Sequence, residues 1–92
     1  MEATLILRER TELGGACVEL VIWQLPRRLP GSVHRYKYRM ALVKPGVCVV
    51  RYDNEAGKGD HRHVGEREEP YRFVDIDRLI RDFLEAVKEH VA

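Results

Sequence analysis

The chain has 92 residues, which suits one domain spanning residues 1–92 and leaves no room for two. Sixteen Lys and Arg nearly balance fifteen Asp and Glu, and the resulting net charge of +1 excludes neither a nucleic acid nor a protein as partner. Met1 is followed by neither a basic leader nor an apolar run long enough to cross a membrane, so we expect a cytoplasmic protein with no membrane partner.

Four segments predict β-strands because they are rich in β-branched and aromatic residues. Turn residues separate them: the pair Gly14-Gly15, a connection containing Pro26 and Pro30, and the pair Pro45-Gly46. The predicted strands are Ala3–Arg10, Ala16–Leu25, His34–Val43 and Val47–Asp53.

The third predicted strand alternates most clearly between its two faces. Tyr36 and Tyr38 lie on its apolar face and are expected in the core, with base stacking as the alternative. The opposite face carries a basic row, which is either a solvated surface or a surface for nucleic acid or an acidic partner. Trp23 is also expected in the core, with a platform for a ligand as the alternative, and His34 is expected to be structural. The basic row consists of Arg35, Lys37 and Arg39.

The last predicted element is a helix that begins after Asp75, whose carboxylate is expected to cap the free amides of the first turn. Its apolar residues follow the spacing of a single stripe: Ile76, Leu79, Ile80, Phe83, Leu84, Val87 and Val91. We therefore predict an α+β fold, a four-stranded antiparallel meander with one C-terminal helix packed on one face. Asn54 to Glu69 is interpreted as a polar loop, and Tyr71 to Val74 as a short extended piece.

The segment Tyr52 to His63 is the candidate functional centre because it is poor in apolar residues and rich in reactive ones. Glycines on both sides of Lys58 permit a sharp turn. In an extended conformation His61 and His63 point the same way, with Arg62 opposite. The candidate catalytic residues are Asp53, Lys58, Asp60, His61 and His63, and the candidate substrate-binding residues are Arg35, Lys37, Arg39, Arg51 and Arg62.

Three hypotheses compete for this segment. In the first, one imidazole removes a proton from an RNA 2′-hydroxyl and the other protonates the leaving oxygen, with Asp53 or Asp60 orienting a ring and no cofactor required. In the second, His61, His63 and one of those carboxylates hold a divalent metal. In the third, the segment is a loop that shapes turns or binds a partner without catalysis.

Four stretches carry a resemblance to a known family. The central motif is Asp53-Asn54 followed by Gly57 to His63. The matching runs are VIWQLP (21–26), HRYKYRMALV (34–43), RYDNEAGKGDHRH (51–63) and EEPYRFVDIDRLIRDF (68–83). The chain resembles the TumE-type toxins of prokaryotic toxin–antitoxin pairs over nearly its whole length.

This resemblance implies a small cytoplasmic toxin encoded beside an antitoxin that binds DNA and neutralises it. It implies "toxin" more directly than "ribonuclease", because RNA cleavage comes only from analogy with other small basic toxins. The expected partners are therefore an antitoxin, RNA and, for so short a chain, a second copy of itself. The positions that the resemblance carries over are Asp53, Lys58, Asp60, His61, Arg62 and His63.

Overall fold

The computed structural model describes residues 2–91, which form six β-strands followed by one α-helix. The strands pair antiparallel in chain order, so the sheet is a simple meander with β1 and β6 at its edges. The elements are β1 (Thr4–Leu13), β2 (Ala16–Gln24), β3 (Tyr36–Lys44), β4 (Val47–Glu55), β5 (Gly59–Val64), β6 (Arg67–Pro70) and α1 (Ile76–Val91).

The α+β class and the helix on one face of an antiparallel sheet are confirmed, but the predicted strand number is wrong. The sheet has six strands because the segment interpreted as a loop, Asn54 to Glu69, contains β5 and β6. Their tight connections use Gly57, Gly59 and Gly65, all with positive φ. Residues 71–74, expected to be extended, belong to no strand.

These two strands escape a search for apolar alternation because their side chains are polar on both faces. Only Val64 in β5 is a strand-forming aliphatic residue, and β6 reads Arg-Glu-Glu-Pro. Their pairing shows that polar composition does not exclude a strand when neighbouring backbone supplies the hydrogen bonds.

The core lies between α1 and one face of the sheet. Alternate residues of β2, β3 and β4 point into it, as the sequence alternation predicts, and α1 covers them with Leu79, Phe83 and Val87. Tyr38 is among the buried residues, so its assignment to the core is confirmed. The sheet residues of this core include Val18, Leu20, Ile22, Met40, Leu42, Val50 and Tyr52.

The helix begins where its capping residue predicts. The Arg78 backbone N–H donates to Asp75 Oδ1 at 2.7 Å, which satisfies one of the free amides of the first turn. Among residues 2–91 there is no helix with the length and apolarity needed to cross a membrane.

Candidate functional site

The face of the sheet turned away from α1 carries most of the candidate residues, and we call it the open face. Alternation along β5 places His61 and His63 on this face, as expected for an extended segment. The register sets His61 opposite Asp53, which is in turn opposite Arg39 of β3. The sheet thus brings together residues that are up to 24 positions apart in the sequence (63 − 39).

Arg51 lies at the centre of the open face and links two of the candidate residues. Its guanidinium donates to His63 Nε2 at 2.7 Å, and its Nε lies 3.2 Å from Asp53 Oδ2. The Nε–H is not aligned with that carboxylate, so the second contact is an ion pair, and the buried Nε has no hydrogen-bond partner within residues 2–91. One donor of Arg51 is therefore unused.

The contact with Arg51 also fixes the state of the His63 ring in this arrangement. A guanidinium has only donors, so His63 Nε2 must accept and the proton of the neutral ring sits on Nδ1. Glu68 Oε1 is 3.6 Å from the same Nε2 and would need a proton there. The shorter contact is the decisive one, because a charge-assisted bond at 2.7 Å is far stronger than an exposed pair at 3.6 Å.

A depression of about 400 Å³ opens on this face over β2, β3 and β4. Beside it the regular pairing of β3 with β4 ends at Arg39 and Asp53, and the buried Asn54 side chain bonds to the β3 backbone beyond that point. Its amide donates to the Tyr36 carbonyl at 2.7 Å and accepts from the Tyr38 N–H at 3.0 Å. The open-face side chains that line the depression are Val21, Trp23, Lys37, Arg39, Arg51, Asp53 and Glu55.

Asp60 lies on the opposite face of β5, apart from His61 and His63. Its carboxylate is only 9% exposed and accepts from His34 Nε2 at 2.8 Å and from the Tyr38 hydroxyl at 2.6 Å. His34 Nδ1 accepts the Tyr36 N–H at 3.0 Å, so the ring proton is on Nε2. Asp60 therefore orients an imidazole, that of His34, and His34 has the structural position expected of it.

Two phenols near this cluster are held in their neutral form. Burial, followed by the hydrogen bond to Asp60, raises the pKa of Tyr38 far above its ordinary range. Burial and a hydrogen bond to Asp82 likewise raise the pKa of Tyr71. Neither phenol is poised to donate or accept protons near neutral pH.

The remaining candidates lie away from the depression. Arg62 points to the helix side, where hydrogen bonds with Tyr52 and Glu69 raise the pKa of its guanidinium. Lys58 is in the exposed turn between β4 and β5, 3.6 Å from Glu55. Arg35 precedes β3 and is exposed, so only Lys37 and Arg39 of the basic row line the depression.

The structure adds Trp23 to the site, a residue that the sequence analysis assigned to the core. Trp23 is partly exposed and lines the depression beside Lys37, its register partner. The signal was present in the sequence, because alternation puts Trp23 on the same side of β2 as Glu19 and opposite Leu20 and Ile22. A tryptophan on the polar side of a strand was the clue.

A metal hypothesis needs a third ligand near His61 and His63. Within residues 2–91, no group of three or more His, Cys, Asp or Glu side chains has the spacing of a metal site. Asp53 shares their face but is paired with Arg51, and Asp60 points to the other side.

Comparison with known proteins places the chain in a functional class. A family model described as "Toxin TumE" matches residues 2–91, nearly the whole chain. No curated protein and no solved structure gives a match.

Proposed function

This chain belongs to the TumE toxin family, and we propose that it acts on RNA by acid–base cleavage of a phosphodiester bond on the open face. The observation that carries this proposal is the grouping of His61 and His63 with Arg51 and Asp53 on one accessible surface, beside Lys37 and Arg39. Imidazoles titrate near neutral pH and can exchange protons with a substrate, and fixed cations stabilise charge that develops on a phosphate.

The two imidazoles differ in their surroundings, which suggests different roles. Among the described residues, the His61 ring forms no hydrogen bond, so it is available to take the proton from the 2′-hydroxyl. His63 Nε2 is occupied by Arg51. When Arg51 turns its donors to an incoming phosphate, including the unused Nε–H, that nitrogen is released and can carry a proton.

The proposed reaction then balances as a transesterification. The RNA 2′-oxygen attacks phosphorus and forms a 2′,3′-cyclic phosphate while the bond from phosphorus to the 5′-oxygen breaks. His61 receives the 2′-hydroxyl proton, and protonated His63 gives its proton to the leaving 5′-oxygen. Alternate residues of a strand are roughly 6.6 Å apart, so one phosphate can lie between the two rings.

Membership of a toxin family also indicates an antitoxin as partner. We propose that this antitoxin covers the open face in the cytoplasm, because doing so would block the histidines and the cations together. A homodimer is a separate proposal, supported by edge strand β1, where Leu5 and Ile6 are 43% and 46% exposed. Sedimentation velocity of the purified chain measures its mass in solution and so tests the homodimer.

Cleavage of a labelled single-stranded RNA by purified variants tests the reaction. His61→Ala and His63→Ala should each lower the rate by about a hundredfold or more, the usual contribution of a general acid or base. His90→Ala is the matched control, since its ring lies on α1 and hydrogen-bonds to the Ala86 carbonyl there. Activity should persist in chelator.

Three results would redirect the proposal. Loss of activity in chelator would indicate a metal-dependent nuclease, with the divalent metal held by the histidine pair. Growth arrest without RNA cleavage would indicate a binding module that engages nucleic acid or an acidic protein. A double His61→Ala, His63→Ala variant as toxic in cells as the parent would exclude histidine catalysis.

A further inference from the structure

The depression on the open face has the features of a site for a planar ring. Its volume of about 400 Å³ falls within the usual range for small-ligand sites, and Val21 and Trp23 give it an apolar wall. Arg8 approaches the Trp23 ring, with its guanidinium carbon 5.7 Å from the ring centroid, but does not line the depression. The guanidinium steadies the indole from the β1 side and leaves an indole surface to the cavity.

A nucleobase fits this combination better than a purely apolar ligand does. Unpaired bases stack on aromatic side chains, and neighbouring cations hold the adjoining phosphates. Lys37 and Arg39 border the indole on the β3 side, and Arg51 continues the cations toward His63. A nucleotide with its base on Trp23 would thus lead its phosphate toward the two imidazoles.

The acceptors in the depression distinguish between bases. Asp53 is paired with Arg51 at 3.2 Å, whereas Glu55 has only an exposed lysine at 3.6 Å. The Glu55 side chain is 56% exposed and can therefore turn to a ligand. An ionised carboxylate only accepts hydrogen bonds. Guanine is the base whose Watson–Crick edge presents two adjacent donors, the ring N–H and the amino group, which match the two oxygens of one carboxylate.

We infer that the depression is a subsite for an unpaired guanine, with Trp23 as the stacking surface and Glu55 as the acceptor of the Watson–Crick edge. This inference rests on the proposed RNA cleavage and makes it specific: the phosphodiester bond that is cut adjoins a guanosine. Lys37, whose ammonium donates to the backbone carbonyl of Asn54, lines the same cavity and supplies a cation for the adjoining phosphate.

Tryptophan fluorescence tests the subsite without any need for catalysis, because Trp23 is the only tryptophan of the chain. The purified full chain is titrated with the four ribonucleoside 3′-monophosphates at constant salt. Guanosine 3′-monophosphate should quench the emission with a Kd at least about tenfold lower than the cytidine and uridine nucleotides, the scale of a charge-assisted hydrogen-bond pair.

A matched pair of substitutions assigns the preference to its side chain. Glu55→Gln should remove most of the guanine preference, because its amide nitrogen would face a donor. Glu68→Gln should leave the preference unchanged, since Glu68 is equally exposed at 56% and lies on β6, outside the depression. Equal quenching by all four nucleotides, or an unchanged preference in Glu55→Gln, would overturn the guanine subsite.

Mapping the cleavage sites of the wild-type chain separates this inference from the proposed function. Cleavage that occurs mainly beside guanosine in the wild-type chain and loses this preference in Glu55→Gln supports both the guanine subsite and RNA cleavage. Cleavage with no base preference overturns the subsite and leaves RNA cleavage standing. Guanosine-selective quenching by a chain that cuts no RNA overturns the cleavage proposal and leaves the subsite standing.

Discussion

Replacing Asp60 by alanine should destabilise the protein far more than replacing any exposed carboxylate of the sheet. The carboxylate of Asp60 is buried and accepts hydrogen bonds from His34 and Tyr38, whose side chains are themselves buried. Alanine would leave both donors without the acceptor that they share. Asp60→Ala therefore removes one acceptor and strands two donors.

The magnitude follows from the two stranded donors. Each buried donor that loses its partner costs roughly 1–3 kcal/mol, so the two together cost about 2–6 kcal/mol. Part of this cost is offset, because the variant no longer has to bury and desolvate a charged carboxylate. We expect a net loss of about 3 kcal/mol, which for a chain of this size lowers Tm by roughly 12 °C or more.

Urea denaturation followed by circular dichroism measures this loss. Glu68→Ala, at an exposed position of the adjacent strand, is the control and should change the free energy of unfolding by less than about 0.5 kcal/mol. The loss of stability in Asp60→Asn should lie between the losses in Asp60→Ala and Glu68→Ala, because the amide oxygen of asparagine keeps one acceptor. A loss below about 1 kcal/mol in Asp60→Ala would refute the idea that this carboxylate satisfies the buried donors.

Two further predictions concern pH and the helix start. Tyr38 has a raised pKa when folded, so both states hold its proton below pH 10.0, and above it only the unfolded chain releases the proton. Stability should therefore fall as pH rises, by about 1 kcal/mol between pH 10 and 11 for this residue, with a shallower slope in Tyr38→Phe. A flat urea midpoint across that interval would contradict the assignment. Asp75→Ala should lower the free energy of unfolding by about 1 kcal/mol, because the helix loses its cap. The control Asp77→Ala, in the first turn of the same helix, should lower it by less than about 0.5 kcal/mol. Equal losses in the two variants would exclude capping by Asp75.

The parts of the fold that bury apolar side chains on one face were predictable from the sequence. Alternation in β2 and β3 and the stripe of α1 each identify a buried face, and Asp75 marks the helix start by its own chemistry. β5 and β6 gave no such signal, because their pairing depends on backbone hydrogen bonds and glycine turns, with little apolar burial.

The candidate site shows the same division. His61 and His63 were placed on one side of an extended segment by their spacing alone. Their meeting with Arg51 and Asp53 depends on the register of β4 and β5, which no local pattern specifies. Trp23 was assigned to the core because a large aromatic residue usually lies there, although its alternation placed it on the polar side of β2.

The polar character of β5 has a consequence for how its register is chosen. A slip of one residue exchanges the two faces of a strand, and burial normally opposes it. In β5 only Val64 offers such resistance, so a slipped pairing would turn His61 and His63 toward α1 and expose Asp60 at little apolar cost. The bonds from Asp60 to His34 and Tyr38 exist in one register alone. The buried carboxylate of Asp60 thus stabilises the one register in which His61 and His63 face the solvent.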